Sequence, residues 1–337
     1  MLSMQNDDRL LRAAVARLTC LSNAERLSLL KKLDNVSALA LLSKVDLCKM
    51  VSRDVSGKLP EMKVLAARAE RDVLIMERYG ITLLLPGDAQ YPELLLEVPQ
   101  PPFALYCRGC PDILASDCVG VVGTRHPDGE GLKASFCFSA DCASGGMTVV
   151  SGLAFGIDTA AHKGALSVDG GKTIAVLGCG VDTIYPAANK RLAAEIIRRS
   201  GCIVSEYPPE EPAVQWHFPE RNRIISGLSR ATIVIQAPSK SGALITADFA
   251  LEQGRDLCVH PAAVSFAERL RASESAENRA GVRGGKNEKD AKGDVFSGKA
   301  GVLRLVAEGA PVISSCKELR ELVSGKMHQG VLDLEYT

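Results

Sequence analysis

The chain has 337 residues, 46% of them apolar and 24% charged, and its 40 basic and 40 acidic side chains give a formal net charge of zero. That length exceeds a usual single domain and leaves room for a large α/β domain with a smaller companion. Balanced charge excludes a uniformly basic surface, so any phosphate site must be local.

No stretch approaches the roughly 18 to 20 apolar residues needed to cross a bilayer, and Met1 to Arg12 lacks an apolar signal core. A cytoplasmic protein without membrane association is expected. The 11 cysteines are scattered through the chain, the pattern of reduced thiols rather than of a disulfide framework. Cys107-Arg-Gly-Cys110 has no second pair and no nearby histidine pair, so no metal is expected there.

In chain order, Leu10, Leu11, Ala14, Val15 and Leu18 recur at helical spacing, and Leu-rich segments follow around 27–47 and 62–79. Residues 1–79 therefore read as a small helical domain. Residues 80–118 contain Gln90-Tyr-Pro and Val98-Pro-Gln-Pro-Pro102 and read as an extended connector, because residues before proline avoid the helix.

From Val119 short apolar runs alternate with helical stretches. Strands are predicted at 118–123, 147–151, 172–178, 202–206, 231–236 and 256–260, and helices at 130–144, 158–167, 189–200, 221–229 and 243–253. This alternation predicts an α/β fold, a Rossmann-like, doubly wound, mostly parallel sheet over 119–326. Within it the polar stretch 267–299 is expected to stay flexible, Ala310 to Ile313 reads as a strand-like run and Lys317 to Val323 as a helix. Residues 327–337 form a short tail.

In such a sheet, ligands sit beyond the carboxyl ends of the strands, where helix N-termini offer unpaired N–H groups. Five turns there carry chemistry. In the first, Gly123 permits a sharp exit while Thr124 and Arg125 stand at the mouth; Arg125 suits either a bidentate phosphate fork or a surface ion pair. In the second, Ser151, Gly152 and Gly156 let a backbone approach a ligand, and Asp158 is placed to cap a helix. His162 lies four residues further on the same helix face; without a nucleophile or a metal-ligand spacing, it reads as a structural histidine oriented by Asp158.

The third turn, Gly178-Cys-Gly180, is half of a dinucleotide fingerprint whose third glycine is missing, so no cofactor is expected. Asn189 and Lys190 open the next helix, and Lys190 suits a backbone phosphate or plain solvent. The fourth sets Arg221, Asn222 and Arg223 after Trp216 and Phe218. Phosphate forks beside a stacking surface suit single-stranded nucleic acid, and the alternative is an aromatic core with Arg221 paired to an acid. In the fifth, Ser241 and Gly242 offer an anion cradle.

Taken together, GTR (123–125), SGLAxGIDxxAH (151–162), KTIAVLGxGxDxxYPxxNxxL (172–192), SE (205–206), FPxRNRIISGLS (218–229) and SGALxTAxxAxxxGR (241–255) resemble the DNA-processing protein A (DprA/Smf) family over residues 80–260 and more loosely over 300–324. The resemblance implies a helical SAM-like domain over 1–79 and a Rossmann-like domain that binds and protects single-stranded DNA without sequence preference. It also implies loading of a RecA-type recombinase in transformation or recombination, without catalysis. Phosphate contacts carry over to Arg125, Ser151, Gly152, the 218–223 segment, Ser241 and Gly242. Lysine often follows the family's Tyr-Pro; here Ala187 does, and Lys190 is the nearby cation. A homodimer is also implied, but less directly, because residues 261–306 depart from the family pattern. The tail after Val323 is too short for the winged-helix domain of some members.

A second reading is an enzyme, since the fold also resembles phosphoribohydrolases of the lysine-decarboxylase-like class. Their PGGxGT-x-x-E signature is missing, and Glu206 is the strand-end carboxylate that would have to serve.

Overall fold

The computed structural model describes residues 2–55, 61–279 and 301–325. Helices α1 (Leu2–Ala16), α2 (Asn23–Lys32), α3 (Val36–Leu41), α4 (Lys44–Val51) and α5 (Met62–Tyr79) occupy the N-terminal region. Three of the starts have a local cause. Ser22 with Glu25 and Ser43 with Asp46 form reciprocal capping boxes, and Asn35 caps α3. Gly80, at φ +63°, stops α5 in the left-handed conformation that glycine adopts without strain.

The helices bury Leu11, Val15, Leu18, Leu29, Leu65 and Val73 in one cluster that also contains Leu177, Ala193 and Ile203 of the sheet region. The two parts thus share a core. Within the helical part, Arg17 holds buried Asp72 of α5, with Nε and Nη2 each 2.6 Å from a carboxylate oxygen, and its Nη2 reaches across to the carbonyl of Pro209.

The chain then builds β1 (Ile81–Leu84), α6 (Glu93–Leu96), β2 (Leu105–Gly109), β3 (Cys118–Val122), α7 (Gly129–Ser144), β4 (Thr148–Ser151), α8 (Ile157–Ser167) and β5 (Thr173–Val176). There follow α9 (Lys190–Arg198), β6 (Cys202–Ser205), α10 (His217–Gly227), β7 (Ala231–Val234), α11 (Gly242–Glu252), β8 (Asp256–Val259), α12 (Pro261–Arg279), α13 (Gly301–Ala307) and α14 (Cys316–Val323). The eight strands form one sheet in the order β1-β2-β6-β5-β4-β3-β7-β8. Strands β3 to β8 run parallel, and β1 and β2 join antiparallel at one edge.

Alternation along β3 shows how both faces are covered. Val119 and Val121 pack with Phe138, Ala161 and Leu319 of α7, α8 and α14. Cys118 and Val122 pack with Ile224, Ala247 and Val302 of α10, α11 and α13. Helices on both faces make the fold Rossmann-like and doubly wound, as expected.

Three expectations are corrected. Residues 80–118 are not a plain connector: β2 pairs Tyr106 to Gly109 with Ser205 to Cys202 of β6, and β1 pairs outside β2. The stretch 267–299 is helical as far as Arg279, because α12 is built from good helix formers; its remainder lies outside the described residues. Arg269 on α12 pairs with Asp128 at 2.6 Å and Glu130 at 2.9 Å. The run Ala310 to Ile313 contributes one bridge, Val312 to Val259, rather than a strand. Among the described residues no helix is long and apolar enough to cross a membrane.

Candidate nucleic-acid interface

The strand order turns at β3, whose neighbours are β4 on one side and β7 on the other. Loops leaving β3 and β7 therefore diverge and leave a crevice at their carboxyl ends. A cleft of about 770 Å³ lies there, and among its walls are Gly123, Thr124, Arg125, Asp158, Ser241 and Gly242. Local backbone demands shape it. A Cβ on Gly123 would stand 2.5 Å from Ile157, and Gly156 adopts φ +75° hard against the Thr124 carbonyl. The Thr124 amide donates to the Gln236 carbonyl at 2.7 Å, tying the exits of β3 and β7 together. Gln236 Nε2 in turn donates to Asp128, the N-cap of α7.

At the rim, the exposed Arg125 guanidinium lies 5.6 Å from the centroid of the Phe218 ring, and that ring leans on Tyr185 at 5.2 Å. Arg125 makes no ion pair with a described residue, so its donors face the cleft free. The Ser241 hydroxyl accepts from the Ala243 amide and caps α11, and Asn222 Nδ2 donates to the Gly242 carbonyl at 3.2 Å. Ser241 and Gly242 present the first turn of α11 to the cleft.

Five of the expected contacts are placed differently. Arg221 lies at the floor with 4% of its surface exposed. Its Nη1 donates to the carbonyls of Gly152, at 2.7 Å, and Val176. It is a strut of the floor rather than a fork open to solvent, and no ion pair with an acid accounts for it. Gly152 is glycine because a Cβ there would stand 2.1 Å from Arg221 Nη1; its missing side chain admits Arg221, not a phosphate. Ser151 is wholly buried and donates to the Val121 carbonyl. Arg223 pairs with Glu206 on the far side of α10, and exposed Lys190 stands outside the cleft. Trp216 is 65% exposed, so it is not core.

Asp158 accepts from the Gly152 amide at 3.2 Å and the Ala154 amide at 3.3 Å, which fixes the loop before α8. Burial pushes its carboxyl above the usual range, opposed by the charge of Arg221 and by those amides. It does not orient His162. The Thr173 hydroxyl donates to the Val149 carbonyl, so His162 Nδ1 donates to that hydroxyl, and Nε2 accepts from the Leu153 amide. Burial, then the neighbouring Arg221, lowers this imidazole to about 3 and keeps it neutral. Tyr185, Lys240 and Thr246 also line the cleft. Tyr185 and Thr246 lie inside the motifs quoted above and Lys240 directly before the last of them, but no spacing rule singles them out.

Comparison with known proteins decides the family. A family model described as DNA recombination-mediator protein A matches residues 82–289. The chain belongs to this family. Among curated members, protein Smf of Escherichia coli is 45% identical over 179 residues, 53% of this chain and 48% of that protein. DNA processing protein DprA of Bacillus subtilis is 38% identical over 229 residues, 68% of this chain and 71% of that protein. Against the Smf proteins of Synechocystis and E. coli, the match spans about half of the relative's length, 44% and 48%. Among solved structures, DNA processing protein A of Streptococcus pneumoniae superposes with a TM-score of 0.63 at 31% identity, covering 92% of this chain and 94% of that one. The Helicobacter pylori member, described for its single-stranded DNA binding mode, gives 0.55 at 25% identity over 74% of this chain and 97% of that one. As a member of the recombination-mediator family, the chain has at the switch of its sheet a cleft whose lining carries the exposed cations Arg125 and Lys240.

Proposed function

We propose that the protein binds single-stranded DNA without sequence preference in the switch-point cleft, protects it, and hands it to a RecA-type recombinase during DNA processing in transformation or recombination. The observation that carries this reading is the unpaired Arg125 held over the Phe218 ring at the cleft mouth. A fixed guanidinium suits a phosphate, and an aromatic platform beside it suits an unstacked base of any sequence. The described DNA-binding mode of the H. pylori relative points the same way. The protein acts in the cytoplasm, as a non-enzymatic binder and as a homodimer. Glu206, the carboxylate an enzyme would need, is tied to Arg223 outside this cleft.

The test is fluorescence anisotropy with labelled oligo-dT and a duplex of equal length across a salt series. Tighter binding of oligo-dT is expected, with affinity falling as salt rises. Equal affinity for duplex would sink the reading. Light scattering of the same samples, with and without a RecA-type protein, measures the oligomer and the partner.

A further inference from the structure

A second cleft of about 760 Å³ opens between the N-terminal helices and the end of β6. It is separate from the first, but the first two turns of α10 serve as the wall of both. Phe218, Arg221 and Asn222 face the first cleft, and His217 and Arg223 face the second. Both clefts lie at the same edge of the sheet, beyond the carboxyl ends of its parallel strands. The Tyr185 turn after β5 lies between β4, on the first cleft's side, and β6.

The lining of the second cleft carries Arg17, Arg26, Arg68 and Arg223 against Glu206 and Glu211. Arg17 is already paired with Asp72, and Arg223 with Glu206. That leaves Arg26 and Arg68. Arg26 stacks 4.3 Å over the Phe103 ring and donates only to neutral groups, the Ala16 carbonyl and Asn23 Oδ1. Arg68 is exposed and pairs with no described residue.

Three buried polar atoms without a partner, Arg26 Nε, Arg223 Nη1 and Glu206 Oε1, belong to side chains lining this cleft. Buried donors are rarely left unmet, and a half-buried guanidinium without a carboxylate is more costly still. Tyr207 stacks on His217 at 3.7 Å along the same wall, giving an aromatic surface.

We propose that this second cleft takes a nucleotide phosphate between Arg26 and Arg68, with the Tyr207–His217 stack beside it for the base. The phosphate comes either from the next segment of a strand held in the first cleft or from a free nucleotide. Only the strand source rests on the function proposed above.

The probes are labelled oligo-dT of about 6 nucleotides, within the roughly 4 to 16 that one single-strand site spans, and of about 20, beyond it, together with an anthraniloyl-labelled deoxyadenosine monophosphate. They are titrated into full-length wild type, Arg26→Ala and Arg68→Gln. Arg68 has no described partner to lose, so Arg68→Gln keeps the test valid if Arg26→Ala folds poorly. If the strand is the source, both variants bind the short probe like wild type and the long probe about tenfold more weakly. The log–log salt slope for the long probe flattens by about 0.7 per arginine removed. If a free nucleotide is the source, the mononucleotide binds wild type and neither variant, and both oligonucleotides are unaffected. Variants that match wild type on every probe, or lose short and long probes equally, overturn the proposal. Should wild type bind neither oligonucleotide, the reading of the first cleft fails and the mononucleotide alone decides the second.

Discussion

The Arg125 guanidinium lies 5.6 Å from the centroid of the Phe218 ring, and that pair separates charge from stacking in one small patch. Replacing Arg125 with alanine is expected to weaken oligo-dT binding about tenfold or more, as for a lost charge-assisted bond, and to flatten the salt slope by about 0.7. Phe218→Ala is expected to cost about 1 to 3 kcal/mol of affinity with the slope unchanged, because a ring releases no counterions. Identical salt slopes for the two variants in an anisotropy series would contradict this division.

Gly152 and Arg221 form the floor. Gly152→Ala puts a methyl group where Arg221 Nη1 lies and forces a buried guanidinium from its carbonyl acceptors. A loss of roughly 2 to 4 kcal/mol in urea unfolding is expected. Gly129→Ala, at a position with nothing within 4 Å, is expected to be close to neutral. Equal stabilities for the two variants would show that Arg221 is not held as described.

His162 makes stability depend on pH. Its folded value, about 3, lies below the ordinary imidazole value, so between about 6.5 and 3 the unfolded chain binds a proton that the folded chain refuses. Its contribution is complete above that window and declines as pH falls through it, by about 1.4 kcal/mol per pH unit once well inside. His162→Gln is expected to flatten this part of the stability–pH curve even if it lowers stability overall. Parallel curves for the two proteins from pH 7 to 5 would refute the assignment.

Arg17 and Asp72 tie the end of α1 to α5 within the helical region. Asp72→Ala is expected to destabilise by about 3 kcal/mol, since it strands a partly buried guanidinium. The double variant Arg17→Met/Asp72→Ala is expected to recover much of the loss. Additive losses in a double-mutant cycle would show that the pair carries no coupling.

The six parallel strands were legible because each is a short apolar run buried on both faces, such as Cys118-Val-Gly-Val-Val122. Strands β1 and β2 were not, because Arg108 and Gly109 interrupt the apolar pattern and their pairing with β6 spans about a hundred residues of chain. The polar stretch entering α12 hid a helix, since composition alone does not distinguish a solvated helix from a loop. In the site, Arg125 at a strand exit was visible from the strand–turn grammar. The roles of Gly152 and Arg221 were not. A glycine that admits a ligand and one that admits an arginine 69 residues away read alike until the chain is folded.

The Arg221 strut divides labour within the cleft. Three segments, the turn after β4, the end of β5 and α10, converge on one side chain that faces inward, whereas the residues that meet a guest stand on the rim. A lineage can therefore retune what it grips, by exchanging Arg125, Lys240 or Tyr185, without renegotiating the scaffold. The floor triad is constrained by architecture and the rim by appetite, and the two can drift at different rates.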